Sequence, residues 1–137
     1  MNKNLLPIHF APLQGYTDAA YRQAHACIFG GIDTYYSPFV RMEHGEIHRK
    51  DIRDINTLEQ IVSLFIKHNY QEADINLGCP FPMLAKRHNG AGMLPYPEEI
   101  KELLTAATEK YPQIRFSVKL RLGWENANEC LALLPLL

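Results

Sequence analysis

The stretch Ala73–Leu94, ADINLGCPFPMLAKRHNGAGML, decides how the chain is read. It opens as a short strand, Ala73 to Leu77, in which Asp74 and Asn76 alternate with Ile75 and Leu77. Alternation in a strand sends both polar side chains to one face. The strand breaks at Gly78, presents a thiol at Cys79 and is stopped by Pro80. A glycine-containing turn, Asn89-Gly90-Ala91-Gly92, closes the segment. A cysteine just past a strand sits at the strand's carboxyl end, the rim that carries chemistry in folds with parallel strands. A buried, inert thiol in a tight turn is the structural alternative, and the remaining sequence has to decide between them.

Working toward the N-terminus, Thr57 reads as a helix N-cap. Leu58, Ile61, Val62 and Phe65 then follow at i, i+3, i+4 and i+7, one face of an amphipathic helix that ends at Asn69-Tyr70. Arg41 to Asn56 is polar without apolar period and is expected to be loop. Asp33–Val40 (DTYYSPFV) has the β-branched and aromatic content of a strand. Ahead of it, Gly30-Gly31 ends a helix that Thr17 or Asp18 can cap. Leu13 to Tyr16 is a turn, and Leu5–Pro12 reads as a short buried strand.

Toward the C-terminus, Pro97 suits the first position of a helix with Glu98 and Glu99 in its first turn. Ile100, Leu103, Leu104 and Ala107 form its apolar face, and Tyr111-Pro112 stops it. Arg115–Leu122 (RFSVKLRL) places Phe116, Val118, Leu120 and Leu122 on one side of a strand and Ser117, Lys119 and Arg121 on the other. Gly123-Trp124 turns the chain into a helical start, Glu129 to Leu137.

The expected order is therefore β-α-β-α-β-α-β-α, which specifies parallel strands with helical crossovers. The polar alternation around Lys119 favours a (β/α)8 (TIM) barrel over a doubly wound sheet, whose central strands read as continuous apolar runs. A barrel needs eight strands and typically ~250 residues, whereas four strands are readable in these 137 residues. The expectation is about the first half of a barrel, with a second copy of the chain covering its exposed edges.

Bulk properties narrow the function. A 47% apolar and 21% charged chain supports a folded core, and a net charge of −1 makes no electrostatic case for nucleic acid or an anionic membrane. No apolar run is long enough to span a bilayer. Three cysteines without a CxxC suit a reducing cytoplasm better than disulfides or a cysteine zinc site. His44 and His48, at i and i+4, lie in a polar stretch and read as solvated surface rather than a metal face. Gly90-Ala91-Gly92 reads as a plain turn rather than a phosphate cradle. Lys86, Arg87 and His88 form a basic cluster that is either a solvated helix face or a phosphate contact. Lys119 either meets solvent or points at an anion, because burying an unpaired lysine is costly.

Three blocks together resemble the flavin-dependent tRNA-dihydrouridine synthases. They are Ala11–Asp18 (APLQGYTD, similar to APMxGxTD), Asp74–Pro80 (DINLGCP) followed by Gly90–Leu94 (GAGML), and Val118–Trp124 (VKLRLGW). The resemblance runs from about Ile8 to Trp124. It implies an FMN enzyme on a TIM barrel, cytoplasmic, that reduces the C5–C6 double bond of uridines in tRNA, with NADPH as reductant. Carried over by position, Pro12, Leu13 and Gln14 lie against the flavin ring. Asn76 sits beside flavin and uracil, Lys119 faces the flavin's N1–C2 side, and Cys79 is the proton donor. Lys86, Arg87 and Arg121 are the expected RNA contacts. A thiol of ordinary pKa ~8.5 is mostly protonated at neutral pH and suits a general acid.

The chain also departs from that family. Pro38 stands where the family usually has Glu. A family strand with a flavin-contacting Gln has no readable counterpart in Arg41–Thr57, so that segment is either deleted or missing residues. The downstream His, the phosphate-binding loops and the helical tRNA-binding domain lie outside residues 1–137. The expectation is an incomplete N-terminal portion of the catalytic domain that holds flavin weakly and is inactive alone. A non-catalytic half-barrel module and a small-molecule flavin reductase of a related barrel are the alternatives. The second lacks the Asn76-x-Gly78-Cys79-Pro80 pattern.

Overall fold

The structure, a computed structural model, describes residues 6–38, 41–43, 46–49 and 55–137; between 41 and 57 it describes backbone alone. The chain divides into two compact units, Met1–Lys50 and Asp51–Leu137. In the first, β1 (His9–Phe10) pairs in parallel with β2 (Thr34–Tyr35) through the crossover helix α1 (Ala19–Ile28). Both strands are much shorter than expected. Asp18 rather than Thr17 caps α1, accepting the Tyr21 N–H at 2.8 Å. Gly30 and Gly31, with φ of 62° and 71°, carry the chain out of the helix.

The stretch expected to be loop instead holds an antiparallel hairpin, β3 (Arg41–Glu43) with β4 (Glu46–Arg49), Met42 opposite Ile47. Each strand carries a single apolar residue among charged ones, too few to give the period that marks a strand. Gly45 between them was the one turn signal available in the sequence. His44 lies outside the described residues, as does the side chain of His48.

The second unit holds the hydrophobic core. Helix α2 (Ile55–Lys67) starts two residues before the expected cap at Thr57. Strand β5 (Glu72–Asn76) is followed by a short helix α3 (Pro82–Ala85), which breaker residues around it had concealed, and by a 3₁₀ turn at Gly90–Met93. Then come α4 (Pro97–Lys110) and β6 (Arg115–Lys119). Leu58, Ile61 and Val62 from α2, Ala73, Ile75 and Leu77 from the β5 segment, and Ile100, Leu103, Leu104 and Ala107 from α4 are all buried. Each large aliphatic side chain so buried is worth ~1.5–3 kcal/mol. Glu59 on α2 and Lys110 at the end of α4 form an ion pair, and its hydrogen bond raises the Lys110 ammonium above its usual range.

β5 and β6 are parallel neighbours, with Glu72, Asp74 and Asn76 opposite Arg115, Ser117 and Lys119. β6 stops at Lys119, three residues short of expectation, because the chain turns away to a closing bond from the Cys130 N–H to the Leu122 carbonyl at 2.9 Å. Leu122, expected on the apolar side, is consequently exposed. The chain ends in α5 (Glu129–Leu133) and a 3₁₀ turn at Leu134–Leu136. The architecture is thus α/β, with two parallel strand pairs joined by helical crossovers and the hairpin added between. No helix among the described residues is long and apolar enough to cross a membrane.

Gly92 carries a tight contact on which this unit depends. A Cβ there would lie 2.1 Å from the Ala85 carbonyl oxygen, whereas one at Gly78 would meet its neighbours at an ordinary 3.5 Å. Backbone cannot yield as a side-chain tip can, so overpacking by Gly92→Ala should cost about 1–3 kcal/mol or more. Gly78→Ala should leave stability nearly unchanged. Chemical denaturation of both variants checks this; equal midpoints would show that the Gly92 approach is not a constraint.

Candidate active site

The site is built on the carboxyl ends of β5 and β6. Their register creates three rungs on one face. Arg115 forms an ion pair with Glu72, and the Ser117 hydroxyl donates to Asp74 Oδ1 at 2.7 Å. The third rung, Asn76 opposite Lys119, has no cross-strand side-chain bond among the described residues. Asn76 Oδ1 instead accepts the Gly78 N–H at 3.0 Å, which turns the chain into Cys79 and leaves the amide NH₂ unclaimed among the described residues. Lys119 is exposed and makes no ion pair among them. Nothing among the described residues claims the Lys119 ammonium, so it is open to solvent or to a bound anion.

Cys79 is half-buried and free. Its position is set by backbone. The Leu77 N–H donates to the Lys119 carbonyl at 2.9 Å, one step before the strand ends, and the Cys79 carbonyl accepts the Ala91 N–H at 3.0 Å. Gly90 makes that last contact feasible. It adopts φ of 55°, and a Cβ there would lie 2.8 Å from the Cys79 carbonyl oxygen. Gly90-Ala91-Gly92 is thus neither a loose turn nor a phosphate cradle. It is a buried 3₁₀ turn clamped onto the cysteine loop, and Ala91 is fully buried. Asn89, which precedes it, is also buried, and its Oδ1 and Nδ2 find no hydrogen-bond partner among the described residues.

Between Cys79 and this clamp the chain surfaces. Lys86, Arg87 and His88 follow α3 and are all exposed. His88 takes a left-handed φ of 53° and stacks on Tyr96. Arg121 is exposed in the loop after β6.

That loop has its own organiser. Glu129 accepts the backbone N–H of Trp124 at 2.6 Å, of Glu125 at 3.1 Å and of Asn126 at 2.9 Å. Burial pushes its carboxyl upward, but the three N–H donors outweigh this and hold it below the ordinary glutamate range. The signal was present in the sequence. Asn126-Ala-Asn-Glu129 has the spacing of a capping box, although α5 itself is capped by Asn128 with Glu129 as its first residue.

In the first unit, the Leu13–Tyr16 turn is locked by Thr17, which is buried. Its hydroxyl accepts the Leu13 N–H at 2.8 Å, and the Leu13 carbonyl accepts both the Tyr16 and Thr17 N–H at 3.1 Å. Gly15 supplies the φ of 82° that the turn needs. Pro12 is half-buried, while Leu13 and Gln14 are exposed. Asn89, Tyr96 and Glu129 are residues of consequence to which sequence reading gave no role, and Thr17, read there as a possible helix cap, locks this turn instead.

Chemically, the uncommitted rung offers an amide NH₂ and a cation side by side, suited to a flat ring whose edge carries negative charge. The neighbouring thiol can give or take a proton.

The family model described as "Dihydrouridine synthase (Dus)" matches residues 9–135. A tRNA-dihydrouridine(16) synthase of Vibrio parahaemolyticus is 43% identical over 58 residues, 42% of this chain and 18% of that protein. A tRNA-dihydrouridine(16) synthase of Haemophilus ducreyi is 28% identical over 156 residues, 95% of this chain and 48% of the relative. A tRNA-dihydrouridine synthase B of Vibrio cholerae is 26% identical over 146 residues, 92% and 44% of the two chains. The chain spans less than half the length of these relatives. The two longer alignments exceed the 137 residues of this chain, so the relatives carry residues between matched segments that this chain lacks.

The lowered Glu129 carboxyl ties loop order to pH. A depressed folded-state pKa gives stability that is fully present above the unfolded value, here 4.5, and is lost as pH falls through the folded value. Trp124, the single tryptophan, reports on the loop directly. Its fluorescence is expected to change as pH drops below about 4.5 and to lose that step in Glu129→Gln. An identical titration in the variant would dissociate Glu129 from the loop.

Proposed function

The chain belongs to the dihydrouridine synthase family, and on that premise we propose that it carries part of the catalytic site of a flavin-dependent tRNA-dihydrouridine synthase. The observation that carries the proposal is the open rung. Of three registered polar pairs on β5 and β6, the two lower ones bond to each other, and the one beside Cys79 does not. Such a rung fits the pyrimidine edge of a flavin. Asn76 would hold the ring through its free amide NH₂, and Lys119 would set a cation beside the N1–C2 edge, where charge gathers on reduction. Pro12, Leu13 and Gln14 are assigned to the flavin ring by family resemblance alone.

FMN, when bound and recharged by NADPH, would supply the hydride for C6 of uracil. The chain's own residues handle the rest. Cys79 Sγ–H donates a proton to C5, completing the saturated C5–C6 bond, and the thiolate left behind regains its proton from solvent. Asn76 orients the rings, and the clamp at Gly90 holds the thiol's backbone still. The target uridine must leave its stack to arrive, at a cost of a few kcal/mol. Lys86, Arg87 and Arg121, all exposed, serve as phosphate contacts for tRNA.

By the same reading the strands belong to about the first half of a (β/α)8 barrel. The polar ladder of β5 and β6 would face its interior, and the active-site rim would lie at the Asn76 and Lys119 ends.

Cys79→Ala separates the proton-transfer role from flavin chemistry. In a full-length protein that carries this chain, with FMN, NADPH and an unmodified tRNA transcript, the variant should form dihydrouridine about 10²–10⁴-fold more slowly. It should still oxidise NADPH through the flavin at the wild-type rate. Undiminished dihydrouridine would remove Cys79 from the mechanism.

A further inference from the structure

We propose that His88 and Tyr96 form a stacking platform for an unpaired base of the RNA substrate, beside the phosphate contacts Lys86 and Arg87. This inference rests on the proposed function and names where a nucleotide near the target would be held.

The two rings stack almost parallel, with centroids 4.2 Å apart and planes 18° from one another. The His88 side chain is 47% exposed and Tyr96 is 40% exposed. A ring pair that served only to fill the core would be covered. This one keeps surface free, and every nucleobase has a π-face to lay against it.

The pair is also held in place before any ligand arrives. The Tyr96 N–H donates to the Met93 carbonyl at 2.8 Å, which fixes it at the threshold of α4. The His88 N–H donates to the Ala85 carbonyl at 3.0 Å, and its buried neighbour Asn89 donates to the Leu84 carbonyl at 3.1 Å. His88 adopts a left-handed φ of 53°, a conformation that costs a non-glycine residue and calls for a reason. Preorganised rings lose little freedom on binding.

The charges nearby suit a polyanion. Lys86 and Arg87 directly precede His88, and both are exposed. Of the acidic residues at the start of α4, Glu98 is paired with Lys101, and Glu99 stands 3.9 Å from His88 Nδ1. The location follows from the clamp. His88 lies two residues before Gly90, a reach of at most about 7 Å, and Gly90 rests on the backbone of Cys79. A base stacked on the platform would therefore be a near neighbour of one held at the thiol.

The test is equilibrium binding of an unmodified, fluorescently labelled tRNA transcript to the chain, read by anisotropy across a salt series. His88→Gly suits the left-handed backbone and so preserves the fold; Tyr96→Leu removes the other ring. Each should weaken binding about 5-fold or more without altering the salt slope, because stacking releases no counterions. The double variant Lys86→Ala/Arg87→Ala should instead flatten that slope by about 1–2. Wild-type affinity in both aromatic variants would overturn the platform and leave the proposed function standing. Absence of tRNA binding by the unaltered chain at low salt would overturn the platform as well, whereas the proposed function is judged by the Cys79→Ala assay.

Discussion

The parallel register of β5 against β6 is the constraint on which the second unit depends. Ala73, Ile75 and Leu77 lie on the covered face, with Phe116, Val118 and Leu120 packed against the same core. A slip of one residue would turn Asp74 and Asn76 inward and expose Ile75 and Leu77. The cost of burying unpaired polar groups therefore guards the register. The same force that builds the core thus sorts the polar ladder outward and brings Asn76 level with Lys119.

Above the ladder, backbone rather than side chains takes over. Cys79 is positioned by the turn from Asn76 Oδ1 to the Gly78 N–H, by its own carbonyl's bond to Ala91, and by the absence of a Cβ at Gly90. A thiol is a poor hydrogen-bonding group, and a network of side chains would hold it badly. Holding its peptide instead leaves the sulfur free for chemistry. The loop after β6 follows the same logic, with Glu129 gathering three N–H groups.

Much of this was legible because it rests on periodicity. The apolar faces of α2 and α4, the polar face of β5 and β6, and the crossovers between parallel strands all follow from alternation or from the i, i+3, i+4 pattern. The family resemblance rested on short blocks that prove to be turns and strand ends. What escaped notice is what periodicity cannot encode. The hairpin at β3 and β4 is stabilised by backbone pairing with one apolar residue per strand. Thr17 and Glu129 act through local bonds to the main chain, and Gly92 matters for an atom it lacks. The stacking of His88 on Tyr96 joins residues whose adjacency depends on the 3₁₀ turn between them.

The clamp also governs where this part of the chain can vary. The segment from Cys79 to Gly92 is a lasso drawn shut at its base by the Ala91 N–H bond to Cys79 and by the approach of Gly92 to Ala85. Residues in the knot answer to backbone contacts and have almost no latitude. The side chains of Lys86 and Arg87, in the exposed bight, answer to solvent. Their chemistry can change without loosening the knot, so the bight behaves as an exchangeable tool head on a fixed handle. The side chains presented at Lys86 and Arg87 can therefore change while the Cys79 backbone stays where it is.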